Sequence, residues 1–118
     1  MLDAKPTGAR RLMRASRNSW QGLRDTWRSE AAFRQEALCA LPLLALIAML
    51  ELSGTARALL LVTLGLVFVV ELLNTAIEAV VDRVGHDWHP LSGKAKDAAS
   101  AAVTVSLCIH AGVWVCVL

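Results

Sequence analysis

Residues 57–82 read RALLLVTLGLVFVVELLNTAIEAVVD, and this stretch decides the fold. It carries no charged side chain between Ala58 and Val70, and its apolar character continues beyond Glu71. With Glu71 included, the apolar window is roughly 20 residues long, which is the length of a helix that spans a bilayer. On a helix that turns about 100° per residue, steps of 3, 7 and 11 residues return close to one face. The residues at those steps, called here the polar stripe, are Glu71, Asn74, Glu78 and Asp82.

The composition favours a membrane protein with three spans. Of the 118 residues, 56% are hydrophobic, and a small soluble domain has too little interior to bury that much apolar surface. Eight of the twelve Lys and Arg precede the first apolar run, and three more lie between the second and third runs. The positive-inside rule therefore places the N-terminus in the cytoplasm and the C-terminus outside. We predict one all-α domain, a helical bundle with an amphipathic surface helix at 7–28 and transmembrane helices at 30–52, 56–84 and 91–118.

The N-terminal segment 7–28 has the pattern of a helix that lies in the membrane interface. Its apolar residues recur at helical spacing, and six arginines fill most of the remaining positions. Tryptophan and arginine on opposite faces are typical of such interfacial helices. Nucleic-acid binding is the competing interpretation of the arginines, but it would need a soluble domain behind the helix. The apolar residues are Leu12, Trp20, Leu23 and Trp27.

The first span is short. The apolar run 37–50 has fourteen residues, and Pro42 interrupts it. It reaches the length of a span only if Phe33 and the stems of Arg34 and Glu36 are drawn in by snorkelling.

The polar stripe is the expected place of any chemistry, because ionised groups inside a span are costly and commonly functional. Glu71 lies deepest, where poor solvation favours taking up a proton, as a general base must. Glu78 lies about 10 Å nearer the cytoplasm and could hold a divalent ion, since magnesium uses one or two carboxylates and phosphate oxygens. Glu30 is a second candidate ligand, although a carboxylate there is more often simply solvated. Lys96 could neutralise phosphate, or form an ordinary interfacial charge pair with Asp97.

Other familiar motifs are missing from the sequence. It has no GxxxxGK[ST] phosphate loop and none of the protein-kinase motifs. His86 and His89 lack the acidic partners of a metal site, and His110 is expected to hydrogen-bond within the bundle. The three cysteines lie inside apolar runs without metal-like spacing and are expected to act as small hydrophobic residues.

Three segments resemble a known family, the bacterial integral-membrane diacylglycerol kinases. They are EAAFRQE at 30–36, ELLNTAIEAVVDR at 71–83 and LSGKAKD at 91–97. The resemblance implies a homotrimer in the bacterial inner membrane, with three transmembrane helices and one surface helix in each subunit. It also implies transfer of the γ-phosphate of MgATP to diacylglycerol, giving phosphatidic acid, at sites formed between subunits.

The resemblance also implies roles for individual residues. Glu71 would be the catalytic base that deprotonates the lipid hydroxyl, with Asn74 in support, and Glu30 and Glu78 would hold Mg²⁺. The nucleotide contacts that it implies are Arg11, Glu30, Glu78, Asp87, Trp88, His89, Lys96 and Asp97. The lipid contacts that it implies are Arg11, Glu71, Ser100 and Trp114. The sequence departs from the family pattern outside the polar stripe, at Ser16, Asn18 and Pro90.

We therefore expect an ATP- and magnesium-dependent lipid kinase that acts on diacylglycerol, with no nucleic-acid partner. Undecaprenol is an alternative lipid alcohol, since related small membrane kinases use it. A non-enzymatic trimer that conducts protons or ions along the carboxylates is an alternative from another class. A structural protein anchored by its basic helix is a third alternative, but it leaves Glu71 unexplained.

Overall fold

The computed structural model describes residues 7–118, and that part of the chain is helical apart from short connections. It contains no β-strand. The last three of its four helices are long and apolar enough to cross a membrane. The prediction of an all-α protein with three candidate spans is confirmed. The helices are α1 (Ala9–Ser29), α2 (Ala31–Met49), α3 (Gly54–Val84) and α4 (Pro90–Val117).

The second helix continues through Pro42 without a break. Proline removes one backbone N–H from the helix, but neighbouring groups in a bundle can compensate for this loss. With 19 residues, α2 is about 28 Å long, close to the thickness of the hydrocarbon core. Its N-terminal residues thus complete the short apolar run to the length of a span.

Side chains cap the N-terminal ends of α3 and α4. The Ser53 hydroxyl accepts a hydrogen bond from the Ala56 N–H at 3.1 Å and caps the start of α3. Residues 85–89, called here the turn, connect α3 to α4. At the end of the turn, the His89 Nδ1 atom accepts from the Leu91 N–H at 3.0 Å. The side chain of His89 therefore caps the N-terminus of α4 where the turn ends.

Two arginines cap the C-terminal ends of the helices that precede them. The Arg34 guanidinium donates to the Trp27 carbonyl at 2.6 Å and to the Arg28 carbonyl at 3.0 Å. Arg57 acts in the same way on α2 from the first turn of α3. A positive charge at a helix C-terminus also complements the helix dipole. The carbonyls that receive Arg57 are those of Ile47, Ala48 and Leu50.

Helices α3 and α4 form an antiparallel pair, and α2 packs against α3. Asp82 contacts Lys96 at the turn end of the pair, and Thr63 contacts His110 toward the other end. Trp114 also packs on the core cluster, which lies between α2 and α3. Many other apolar side chains are exposed, as expected of surfaces that face lipid or another subunit. The cluster consists of Ala40, Ile47, Leu60 and Leu64.

A histidine cluster, formed by Thr63, His110 and Trp114, joins α3 to α4 far from the turn. Trp114 Nε1 lies 3.0 Å from His110 Nε2, and an indole nitrogen can only donate, so Nε2 holds no proton. The ring is therefore neutral, with its proton on Nδ1, which donates to the Thr63 hydroxyl at 2.8 Å. Thr63 in turn donates to the Leu59 carbonyl at 2.8 Å. The prediction that His110 hydrogen-bonds within the bundle is confirmed.

Candidate active site

Burial decreases along the polar stripe toward the turn. Glu71 is only 5% exposed, whereas Asn74 and Glu78 are half-buried and Asp82 is exposed. The four side chains share one face of α3 because their spacing matches the helical repeat. The stripe thus leads from an exposed carboxylate at the end of α3 next to the turn to a buried carboxylate in its interior.

Asn74 connects the middle of the stripe. Its Nδ2 atom donates to Glu78 Oε1 at 3.3 Å. The amide therefore contacts the carboxylate that lies four residues further along α3, nearer the turn. Its Oδ1 atom is buried and has no hydrogen-bond partner among the described residues. An unpartnered amide oxygen is costly to bury, and it is free to accept from a bound hydroxyl or to face a cation. Asn74 can therefore contact a ligand between Glu71 and Glu78.

Glu36 of α2 belongs to this site, although the sequence reasoning missed it. Its carboxyl group lies close to that of Glu71, and its Oε2 atom is buried without a partner among the described residues. Two ionised carboxylates have no donor between them, so the contact becomes a hydrogen bond only when one holds a proton. In the sequence, Glu36 stands at the start of an apolar run, and this acid was therefore assigned to the membrane interface.

Two aromatic rings pack against each other between α2 and α3, one helical turn from Glu36 and Glu71. Phe33 and Phe68 meet edge to face, with their ring centroids 5.8 Å apart. Each lies three residues before one of the two acids, Glu36 and Glu71. The acid pair is therefore bordered by an apolar contact in which Phe33 is itself buried.

At the turn end of the stripe, Lys96 pairs with Asp82. The Nζ atom lies 2.7 Å from Oδ1, and both side chains are nearly half exposed. Lys96 is thus directed toward the stripe on α3 rather than toward Asp97, its neighbour in the sequence.

The turn forms a concave surface next to this ion pair. A cavity of about 660 Å³ is lined by residues of the turn and of the first turns of α4, among them the polar side chains of His89, Lys94 and Asp97 and several small or apolar residues. This volume is within the usual range for small-molecule sites, roughly 300–1,000 Å³. A smaller cavity, of about 170 Å³, adds Asp82, Asp87 and Lys96 to this surface. The residues of the larger cavity that the family resemblance assigns to nucleotide are Trp88, His89 and Asp97.

The remaining predicted residues lie elsewhere. Arg11 is exposed on α1, and Glu30 is half-buried where α1 meets α2. Ser100 is exposed on α4, and Trp114 belongs to the histidine cluster. Eighteen residues of helix, about 27 Å, separate Lys96 from Trp114. The turn residues that the resemblance assigns to nucleotide and the outermost residue that it assigns to lipid therefore lie far apart within one chain.

Within residues 7–118, no group of three or more His, Cys, Asp or Glu side chains could hold a metal ion. Magnesium is commonly held by only one or two carboxylates, with water and phosphate oxygens as its other ligands. The half-buried Glu78 carboxylate, beside the unpartnered Asn74 oxygen, is compatible with such a site. The donor set therefore suits a metal that arrives with a nucleotide.

Three apolar helices, a buried acid in the central one and a concave surface with charged residues at one end define a helical membrane protein with a candidate catalytic site. The chain belongs to the prokaryotic diacylglycerol kinase family, whose sequence profile matches residues 17–118. The family resemblance found in the sequence is thereby confirmed.

Relatives in this family match almost the whole chain. It is 46% identical to the diacylglycerol kinase of Escherichia coli strain K12, over 95% of this chain and 91% of the relative. The diacylglycerol kinase of Pseudomonas aeruginosa is 43% identical over the same two shares, 95% and 91%. The enzyme of Haemophilus influenzae is 42% identical over 93% of each chain.

Proposed function

We propose that this protein is an ATP-dependent lipid kinase that phosphorylates diacylglycerol to phosphatidic acid in a bacterial membrane. Membership of the family supports the activity, and the relatives described above carry the name diacylglycerol kinase. The observation that carries the mechanism is the burial of Glu71 inside an apolar helix, at the inner end of a stripe that reaches the turn. A membrane-embedded base and a water-exposed nucleotide site suit a reaction between a lipid and a soluble phosphate donor.

Glu71 is the general base of this proposal. Its carboxylate takes the proton of the primary hydroxyl of diacylglycerol while the hydroxyl oxygen attacks the γ-phosphorus. The bond from that phosphorus to the β,γ-bridging oxygen breaks, and ADP leaves with the electron pair. Glu36, in contact with Glu71, shares the proton, and the amide of Asn74 orients the hydroxyl.

Phosphoryl transfer depends mainly on positioning and charge neutralisation, so the remaining residues have those roles. Glu30 and Glu78 would hold Mg²⁺, which supplies positive charge to the phosphate oxygens when bound. Arg11 and Lys96 add positive side chains. The other nucleotide contacts proposed are Asp87, Trp88, His89 and Asp97.

The lipid and assembly parts of the proposal follow from the exposed apolar surfaces. Arg11 and Ser100 contact the lipid headgroup side, and Trp114 lies further along the lipid. We propose a homotrimer with sites between subunits, which would bring together residues that are distant within one chain. The basic α1 lies in the interface of the inner membrane, with the N-terminus cytoplasmic and the C-terminus external.

The test is the substitution Glu71→Gln, which keeps the size of the side chain and removes the base. The purified protein is given radiolabelled ATP, magnesium and short-chain diacylglycerol in detergent, and the lipid product is separated by thin-layer chromatography. We expect turnover to fall by at least about a hundredfold, the usual contribution of a general base. Glu51→Gln, which removes an exposed acid in the α2–α3 connection, is the control and should retain activity.

Near-normal turnover of Glu71→Gln would remove Glu71 from the mechanism. Absence of labelled phosphatidic acid with the unmutated protein would overturn the activity itself. Competition between diacylglycerol and undecaprenol in one assay identifies the preferred alcohol, and preference for undecaprenol would overturn the substrate assignment.

A further inference from the structure

Asp82 is the one member of the polar stripe to which the proposed mechanism gives no role. It lies at the turn end of α3, and its Oδ1 atom lies 2.7 Å from the Nζ atom of Lys96 on α4. The two residues are fourteen positions apart, so their contact bridges the turn. It holds the ammonium group at the turn end of the stripe.

The stability of the fold does not explain this contact. Both side chains are nearly half exposed, and exposed ion pairs contribute little to stability. Lys96 also has an acid next to it in sequence, Asp97, yet it crosses to the other helix. The main effect of the contact is therefore to fix the position of the Lys96 ammonium, and its effect on the stability of the helix pair is small.

The chemistry of lysine explains why such a contact is useful at a phosphate site. A lysine ammonium is a compact charge on a flexible stem of four carbons, so it occupies many positions unless a partner restrains it. It has three N–H donors, and Asp82 accepts one of them. The other two remain available for phosphate oxygens without loss of the contact to Asp82.

We propose that Asp82 is a positioning residue, which fixes the Lys96 ammonium at the end of the polar stripe to receive the phosphates of the nucleotide. The inference rests on the proposed function, because it takes Lys96 as a phosphate contact. Asp82 itself touches neither substrate. Its loss leaves Lys96 in place on α4 but allows the ammonium to move away.

The test measures binding of the magnesium complex of AMPPCP, a non-hydrolysable ATP analogue, to the full-length protein in detergent micelles by titration calorimetry. Removing the carboxylate should weaken a charge-assisted contact, so we expect Asp82→Ala to raise the Kd about tenfold. Asp82→Asn keeps an acceptor oxygen and should raise it less, whereas Asp82→Glu should stay within about twofold of the unmutated protein. Glu51→Gln is the control and should also stay within about twofold.

A double-mutant cycle separates positioning from a general structural effect. If Asp82 acts through Lys96, Asp82→Ala should have no further effect in a Lys96→Ala background. In the kinase assay, the KM for diacylglycerol should be unchanged while the KM for ATP rises. An unchanged Kd for Asp82→Ala, or the same fold-change with and without Lys96, would overturn the inference. If the unmutated protein binds the analogue but makes no phosphatidic acid, the proposed function fails while this comparison still decides the role of Asp82.

Discussion

Two polar contacts join α3 to α4, and they differ in almost every physical respect. The histidine cluster is buried, with His110 7% and Thr63 8% exposed, and it is electrically neutral. The ion pair of Lys96 and Asp82 is nearly half exposed and formed by charges. In the cluster every donor has an acceptor, whereas the Lys96 ammonium uses one of its three N–H groups on Asp82.

This difference matches what each end of the helix pair has to do. A buried polar group must be fully paired, because an unpaired one costs the full desolvation penalty. A group that receives a ligand must instead keep unused donors where the ligand can reach them. The cluster therefore fixes the helices, and the ion pair directs a side chain.

Removal of the histidine should have the largest effect on stability. We expect His110→Ala to lower the free energy of unfolding by about 1–3 kcal/mol, because it leaves the Trp114 N–H without its acceptor and opens a space between the helices. SDS-induced unfolding in mixed micelles, followed by tryptophan fluorescence, measures this change. Ile109→Ala removes an exposed apolar neighbour on the same helix and is the control. An equal loss for both variants would contradict a special role of the cluster.

Removal of the threonine hydroxyl should have a smaller effect. Thr63→Val keeps the shape of the side chain and leaves His110 Nδ1–H without an acceptor, so we expect a loss of about 0.5–1.5 kcal/mol in the same assay. Thr63→Ser restores the hydroxyl and should recover most of this loss. If valine is as stable as threonine, the hydrogen bond between Thr63 and His110 does not stabilise the helix pair.

The smallest effect on stability is expected at the ion pair. Asp82→Ala should leave the midpoint of SDS unfolding unchanged, because an exposed pair in water contributes little. The same variant is expected to weaken nucleotide binding, so stability and binding should separate at this residue. A clear shift of the unfolding midpoint would show that the ion pair also holds the helices together.

Much of the fold could be predicted because its signals are local. The second and third apolar runs have the length that a bilayer requires, and the first reaches it with the residues that precede it. The repeat of an α-helix alone places Glu71 and Glu78 on one face. The family resemblance, which spans most of the chain, supplied the expected roles of individual residues, which periodicity cannot predict. These properties depend on positions within one segment.

Contacts between helices could not be predicted in the same way. Glu36 pairs with Glu71 because of the register between α2 and α3, which is set by packing rather than by spacing along the chain. For the same reason, the sequence suggested an ion pair between Lys96 and its neighbour Asp97, whereas in the structure Lys96 pairs with Asp82. The sequence indicated that His110 needs partners, but only the antiparallel packing identifies them as Thr63 and Trp114.

The Arg57 cap on α2 also has a consequence for the way the protein enters a membrane. The last carbonyls of a helix have no partner within it, and exposed backbone groups are strongly disfavoured in hydrocarbon. Because the cap comes from the first turn of the next helix, α2 and α3 can leave the insertion machinery as one hairpin with the end of α2 already closed. The cap on α2 thus needs only two of the three candidate spans and no residue of α4.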